Sequence, residues 1–205
     1  ADNGPAPLLA AIEAAREVQA ELSAVLGERV RQAVELLIRE SGPVLEPLDA
    51  EGPDRVSRRD LYIAANRIVM RCVVVLFAEA RVLLPREHPV YNGSYSLQGL
   101  REQLDRFAGG RTERLRLGHS AWPRLLSLFR LIHAGSAHEG LPIRRYGGSL
   151  FAPGQACGAD PVSRAVAAFE SPANTLTDAV VQRMLALLCQ SKVKVRQGHQ
   201  SLWVP

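Results

Sequence analysis

Arginine gives this chain most of its capacity for chemistry. Of 25 basic residues, only Lys192 and Lys194 are lysine and the rest are arginine, and the formal net charge is +4. Guanidinium groups pair with phosphate oxygens through two parallel hydrogen bonds, so clustered arginines indicate phosphate contact. A solvated helix face produces the same pattern, and GC-rich coding produces an arginine bias by itself. The clusters therefore leave both interpretations open.

Two segments concentrate the basic residues. Seven arginines against three acidic residues lie between Arg101 and Arg130, and a second group lies near the C-terminus. A glycine-rich segment adds an adjacent pair, and glycine lets a backbone approach a phosphate closely. We take these residues as candidates for contact with a DNA backbone: Arg144, Arg145, Lys192, Lys194 and Arg196. The alternative is that they are solvated charges or form salt bridges to another domain.

Known catalytic motifs are absent from the sequence. Because lysine occurs only at positions 192 and 194, no GxxxxGK[ST] phosphate loop is present, and GxGxxG, GxSxG and HExxH are also missing. The five histidines are scattered, without the spacing of metal ligands. Three cysteines without a CxxC pair are interpreted as buried thiols in a reducing, cytoplasmic compartment. We expect no catalytic residue and no metal site in this chain.

The stretch from Arg58 to Pro85 predicts the element that organises the fold. Residues 61–84 of it are mostly apolar, and Asp60, Arg67 and Arg71 share one face of a helix. Its charge-free part is far shorter than the roughly 18 to 20 residues of a membrane span, so no membrane association is expected. The pattern predicts a buried central helix, open along its N-terminal half and enclosed on all sides along its C-terminal half.

The remaining segments predict helices around that one. Residues 8–40 form an amphipathic helix or two helices meeting near Gly27, and further helices begin near Ser96, Ser120 and Thr175. A hydrophobic content of 47% is enough for a sizeable core. The fold class is mainly α, an irregular helical bundle around one buried central helix with a small C-terminal β-hairpin. Its predicted parts are residues 1–42, a linker 43–57, a core 58–190 with a glycine-rich loop 135–161, and the hairpin 191–205.

Four phrases of the sequence carry a family resemblance. In chain order they are LFAEARVLLP, YNGSYSLQGLRE, SAWPRLLSLFRLI and LPIRRYGGSLFAP. Together they resemble the helical region that precedes the catalytic domain in large adenine-specific DNA methyltransferases. That family includes type IIG restriction-modification proteins and the methyltransferases of phage-growth-limitation and DISARM defence systems. The resemblance covers residues 58–205.

The resemblance implies a parent protein with chemistry that this chain lacks. In that family, a following domain binds S-adenosylmethionine and carries an (N/D)PP(Y/F) motif, but this sequence contains no Pro-Pro pair. We therefore expect a non-catalytic connector fragment of a bacterial, cytoplasmic enzyme. This chain would bind no cofactor, scaffold the missing methyltransferase domain and contact double-stranded DNA. The alternative is a protein-interaction module that docks another defence subunit through an exposed apolar face. A free-standing small enzyme has little support.

Overall fold

The chain is mainly helical in the part whose side chains are described. The computed structural model describes the backbone of residues 7–50, 52, 55–156, 159–189, 193–197 and 200–204, and the side chains of residues 16, 23–50, 52, 55–156 and 159–189. The α-helices are α1 (Pro7–Glu40), α2 (Gly42–Leu45), α3 (Arg58–Ala80), α4 (Leu97–Ala108), α5 (Ala121–Ala134), α6 (Gly148–Phe151), α7 (Pro161–Phe169) and α8 (Asp178–Cys189). The mainly helical class is therefore confirmed.

Short helical turns and one pair of strands complete the chain. Two 3₁₀ turns span Glu46–Asp49 and Thr112–Arg116, and a π-helical turn spans Tyr91–Tyr95. Strands β1 (Val193–Gln197) and β2 (Gln200–Val204) run antiparallel to each other. The side chains of these strands lie outside the described residues, so the C-terminal hairpin as a packed unit stays a prediction.

Helix α3 is the centre of the bundle, as its composition predicts. It packs against α1, α4, α6 and α7, and it buries the following side chains completely: Ala64, Ala65, Ile68, Val69, Cys72 and Val75. Ser57 caps its first turn, because the Ser57 hydroxyl accepts a hydrogen bond from the Asp60 amide. By length and composition α3 would also pass as a membrane span, a property that core helices share.

One prediction about α3 is wrong. Its C-terminal half is not enclosed on all sides, since Val74 is 37% exposed and Phe77 is 56% exposed. The reason is tertiary: Val74 and Phe77 line a surface cavity together with Tyr146 and Phe151, so residues 146–151 cover this flank of the helix only partly. Apolar composition alone does not reveal which flank of a core helix its neighbours leave uncovered.

Other elements differ from the sequence expectations in their bounds. Helix α1 continues through Gly27 without a break. Helix α7 was not predicted, although Asp160 caps its first turn and Pro161 occupies the first helical position, a typical helix start. The last helix begins at Asp178, three residues later than predicted, and Phe107 on α4 is exposed instead of inward.

Candidate functional site

The end of helix α3 leaves a strained, exposed turn on the surface. The Leu83 amide donates to the Ala78 carbonyl at 2.9 Å and the Val82 amide to the Glu79 carbonyl at 3.2 Å, which is the Schellman pattern of helix termination. That pattern needs a left-handed residue, and Val82 fills the position with a φ of 57°. A β-branched residue is strained in this conformation. The turn holds Val82 and Leu83 outward, 73% and 59% exposed.

The chain that follows this turn is fixed by a buried carboxylate. Glu79 is 1% exposed and accepts hydrogen bonds from the Tyr91 hydroxyl at 2.9 Å, the Leu97 amide at 2.8 Å and the Gln98 amide at 3.0 Å. The two amides begin α4, so the carboxylate compensates the positive end of that helix. Glu79 thereby ties the connection 81–96 to the end of α3.

The facing wall of the site is fixed by a buried arginine. Arg71 is fully buried; its Nε donates to the Leu150 carbonyl at 2.6 Å and its Nη2 to the Ala152 carbonyl at 2.8 Å. Its Nη1 pairs with Glu170 Oε1 at 2.5 Å, and Glu170 Oε2 accepts from the Gly154 amide at 3.1 Å. The polar face predicted on α3 is therefore an internal clamp at Arg71. It holds residues 150–154 against α3.

Close backbone contact brings the first part of the same loop into place. Gly135, at the end of α5, has a φ of 74°, and a Cβ there would overlap the backbone of Ile143 and Arg145. The Tyr146 amide donates to the Ile132 carbonyl at 3.1 Å, and the Tyr146 hydroxyl donates to the Leu83 carbonyl at 3.1 Å. This second bond joins the two walls at the α3 turn.

Two adjoining cavities lie between these walls, and we call them together the cleft. The larger, the basic cavity of about 600 Å³, is lined by residues 82–88, 142–144 and Tyr146. The smaller, the apolar cavity of about 190 Å³, is lined only by apolar surface. Leu83, Leu84 and Tyr146 line both. The cleft thus has a charged end and an apolar end that share one wall.

The charged end of the cleft brings two arginines and a histidine together. Arg86, His88 and Arg144 line the basic cavity together with one acidic residue, Glu87. Arg86 Nε and His88 Nδ1 are shielded from solvent and have no hydrogen-bond partner among the described residues. The two guanidinium groups outnumber the one carboxylate of the lining, and guanidinium groups pair well with acceptor oxygens. This end of the cleft is therefore suited to an anionic group with several acceptor oxygens.

Arg86 also acts on the network beneath the cavity. Burial raises the pKa of Tyr91, and the neighbouring Glu79 charge and hydrogen bond raise it further, while the Arg86 charge opposes part of that rise. Tyr91 therefore remains a neutral hydrogen-bond donor to Glu79 at physiological pH. The network of Glu79 with Tyr91 and the start of α4 is therefore a fixed structural element.

The apolar end carries two exposed aromatic rings. Tyr146 is 55% exposed and is held in place by its hydrogen bond to Leu83, and Phe77 is 56% exposed. The Arg81 guanidinium lies 5.0 Å from the centre of the Phe77 ring, a cation–π contact. Flat rings that are both exposed and restrained are suited to receive another planar group.

The five residues predicted to contact phosphate differ in how much the structure shows of them. Arg144 lines the basic cavity, and Arg145 is exposed beside it in the chain. Lys192, Lys194 and Arg196 lie outside the residues whose side chains are described, so their roles stay predictions. Sequence reasoning missed Arg86 and His88, which follow directly after Pro85. In the sequence, these two residues form part of the motif REH in a turn-rich connection. Nothing in that motif indicates that they line the same cavity as Arg144.

The arginine series from Arg101 to Arg130 lies apart from the cleft where its surroundings are described. Arg124 donates to Gln103 Oε1 at 2.6 Å, and burial lowers the pKa of Arg124. Arg116 lines a separate cavity of about 350 Å³ together with Arg39 and Arg183. The arginines of this series therefore lie in several different environments and do not form one basic surface with the cleft.

Within the described part of the chain, no group of three His, Cys, Asp or Glu residues is placed to hold a metal ion. The two described thiols, Cys72 and Cys189, are not activated as nucleophiles. Burial raises the pKa of Cys72 to about 12 and raises that of Cys189, so both are poor nucleophiles at neutral pH. The expectation of buried thiols is confirmed for Cys72, whereas Cys189 is only partly buried and Cys157 lies outside the described residues.

Comparison with protein-family models, curated proteins and solved structures finds no match for this chain. The class of protein that the fold and site define is a helical bundle with a mixed basic and apolar surface cleft.

Proposed function

We propose that this chain is a non-catalytic helical scaffold that binds the nucleic-acid backbone through the basic cavity of the cleft. The observation that carries the proposal is the convergence of Arg86, His88 and Arg144 on one cavity. Phosphate oxygens supply several acceptors and a negative charge together. Glu87 is the only acidic residue in the cavity lining.

The setting we propose is the one that the family resemblance implies. The chain would form the helical connector of an adenine-specific DNA methyltransferase of a bacterial restriction-modification or phage-defence system. Its S-adenosylmethionine and its (N/D)PP(Y/F) motif would belong to a separate catalytic domain. In this account Arg71 and Glu79 are support residues, since their contacts fix the two walls of the cleft. The connector then contributes position and backbone contact, and no step of methyl transfer.

Fluorescence anisotropy with labelled DNA tests backbone binding. We expect sequence-independent binding with a dissociation constant of roughly 1–100 µM at physiological salt, the range of non-specific DNA binding, and tighter binding at low salt. The double variant Arg86→Gln/Arg144→Gln should weaken binding and reduce the slope of log K against log salt by about 1 per arginine removed.

Arg59→Gln is the matched control. Arg59 is exposed at the opposite end of α3, roughly 30 Å from Ala80 at the rise of a helix, and the substitution removes one of the same charges. The control should bind as the wild type does. No binding at low salt up to about 100 µM, or equal losses per charge in both variants, would contradict backbone binding at the cleft.

Docking of another defence subunit is the second candidate, and the outward Val82 and Leu83 favour it. Large apolar side chains held on a surface turn are typical of interaction sites. Such a face should promote self-association when its partner is absent. Small-angle scattering over a concentration series tests this. Association that Leu83→Glu abolishes supports docking, and a monomer at every concentration counts against it.

A further inference from the structure

The apolar cavity adjoins the basic cavity, and this adjacency has a consequence for the form of the ligand. A ligand whose phosphate lies on Arg86 and Arg144 places its next group over the shared wall of Leu83, Leu84 and Tyr146. Beyond that wall the lining is entirely apolar. In duplex DNA the group next to a phosphate is a sugar, because the bases are paired inside. In a single strand the phosphate is also joined to a sugar, but the base on that sugar is unpaired and can reach an apolar surface beyond it.

We propose that the apolar cavity binds an unpaired nucleobase, so that the cleft as a whole recognises a single-stranded segment of nucleic acid. This inference rests on the proposed backbone binding and specifies its substrate class. Single-strand binding sites combine a positively charged groove with aromatic rings on which bases stack. The cleft has both parts, with Arg86 and Arg144 at one end and Tyr146 and Phe77 at the other.

The Tyr146 ring is the principal stacking surface. Its hydroxyl bond to the Leu83 carbonyl fixes the ring at the boundary between the two cavities, and more than half of the side chain stays exposed. Phe77 is the second ring, with the Arg81 guanidinium near it. Because every base has a π face, stacking of this kind tolerates all four bases. The absence of polar groups in the apolar cavity fits that tolerance, since no hydrogen bond there selects one base.

An acidic protein segment with an apolar anchor is the competing ligand. It would match the net charge of the basic cavity and the lining of the apolar one. The restrained aromatic ring at the shared wall favours a planar group, and the guanidinium groups of Arg86 and Arg144 favour a phosphate with several oxygens. These two observations together select a nucleic-acid strand.

Three probes compared by anisotropy with the full chain test the inference. The first is a thymidine oligonucleotide of about 12 nucleotides, within the range of known single-strand site sizes. The second is a strand of the same length with abasic positions, and the third is a duplex of the same length. We expect the thymidine strand to bind about 5- to 150-fold more tightly than the abasic strand, as expected for stacking of one base.

Substitutions at Tyr146 separate stacking from folding. Tyr146→Leu should lower affinity for the thymidine strand to that of the abasic strand and leave duplex affinity unchanged. Tyr146→Phe keeps the ring and should retain most of the preference. Circular dichroism checks that both variants fold. Equal affinities of the wild type for the thymidine and abasic strands would overturn the inference while leaving backbone binding intact.

The remaining outcomes are also decisive. Absence of binding to all three probes would overturn backbone binding itself, together with this inference. A further probe is an acidic peptide with a central tryptophan. If this peptide binds more tightly than the thymidine strand and loses binding with Tyr146→Leu, the nucleobase inference is overturned in favour of a protein ligand. Loss of thymidine-strand binding in Arg86→Gln/Arg144→Gln, combined with the Tyr146→Leu result, would support the complete assignment.

Discussion

Replacing Arg71 with methionine should destabilise the bundle severely. Arg71 is fully buried, and its three hydrogen bonds reach Leu150, Ala152 and Glu170. The Glu170 side chain is only 10% exposed. Methionine fills a similar volume but leaves the carboxylate without its cation and two carbonyls without a donor. Breaking a buried pair from one side costs about 3–5 kcal/mol, a large fraction of the roughly 5–15 kcal/mol that stabilises a domain.

Urea denaturation followed by circular dichroism measures this loss. The double variant Arg71→Met/Glu170→Gln removes both charges, while the glutamine oxygen still accepts from the Gly154 amide. Because an apolar replacement of a whole buried pair is often tolerated, the double variant should recover about 2 kcal/mol or more relative to Arg71→Met. This positive coupling is the signature of a direct pair.

Arg67→Met is the control on the same helix, one turn earlier. Arg67 is partly buried, and no described residue forms an ion pair with it. We expect a change within about 1 kcal/mol, as for positions without a buried network. If Arg71→Met costs no more than Arg67→Met, or if the double variant is no more stable than Arg71→Met, the clamp is not what fixes this wall of the cleft.

Three further substitutions test the local structure. Val82→Gly should stabilise the fold by about 1 kcal/mol, because it relieves a positive φ at an exposed position; an unchanged urea midpoint would contradict that strain. The pKa of Cys72 rises from 9.0 to about 12 on folding, so the stabilisation from the neutral thiol is complete below pH 9 and is lost by up to about 4 kcal/mol toward pH 12. Cys72→Ala should therefore flatten the fall of the urea midpoint between pH 9 and pH 12, and an unaltered fall would refute the assignment. Gly118→Ala should cost about 1–3 kcal/mol in the same assay, because its Cβ would overlap the Asp178 carboxylate that caps α5; a neutral effect would show that the carboxylate shifts freely.

Local signals in the sequence predicted the helix starts that depend on neighbouring residues. Ser57 with Asp60, and Ser96 before α4, are such cases, since each hydroxyl accepts an amide three residues later. The start of α5 near Ser120 was also predicted correctly, but the interaction that fixes it was not. Ser120 forms no side-chain cap, and the Asp178 carboxylate accepts from the Ala121 amide instead. A local sequence pattern cannot predict a cap that is provided by a residue of a distant helix.

The candidate site was predictable only in part, for the same reason. Arg144 was selected because glycines follow it in a basic loop, and it does line the basic cavity. Arg86 and His88 belong to a different connection and meet Arg144 only after Glu79 and Arg71 fix the two walls. The sequence analysis did not single out Glu79. Its role depends on α4 placing two free amides against it.

Hydrogen–deuterium exchange with and without the thymidine strand tests most directly whether the cleft binds nucleic acid. The measurement follows backbone amides along the whole chain, so it locates the bound surface without any substitution. We predict that the strand slows exchange in residues 81–91 and 141–151, and leaves residues 58–66 at the other end of α3 unchanged. Slower exchange confined to segments outside the cleft, at a strand concentration that saturates binding, would contradict the account.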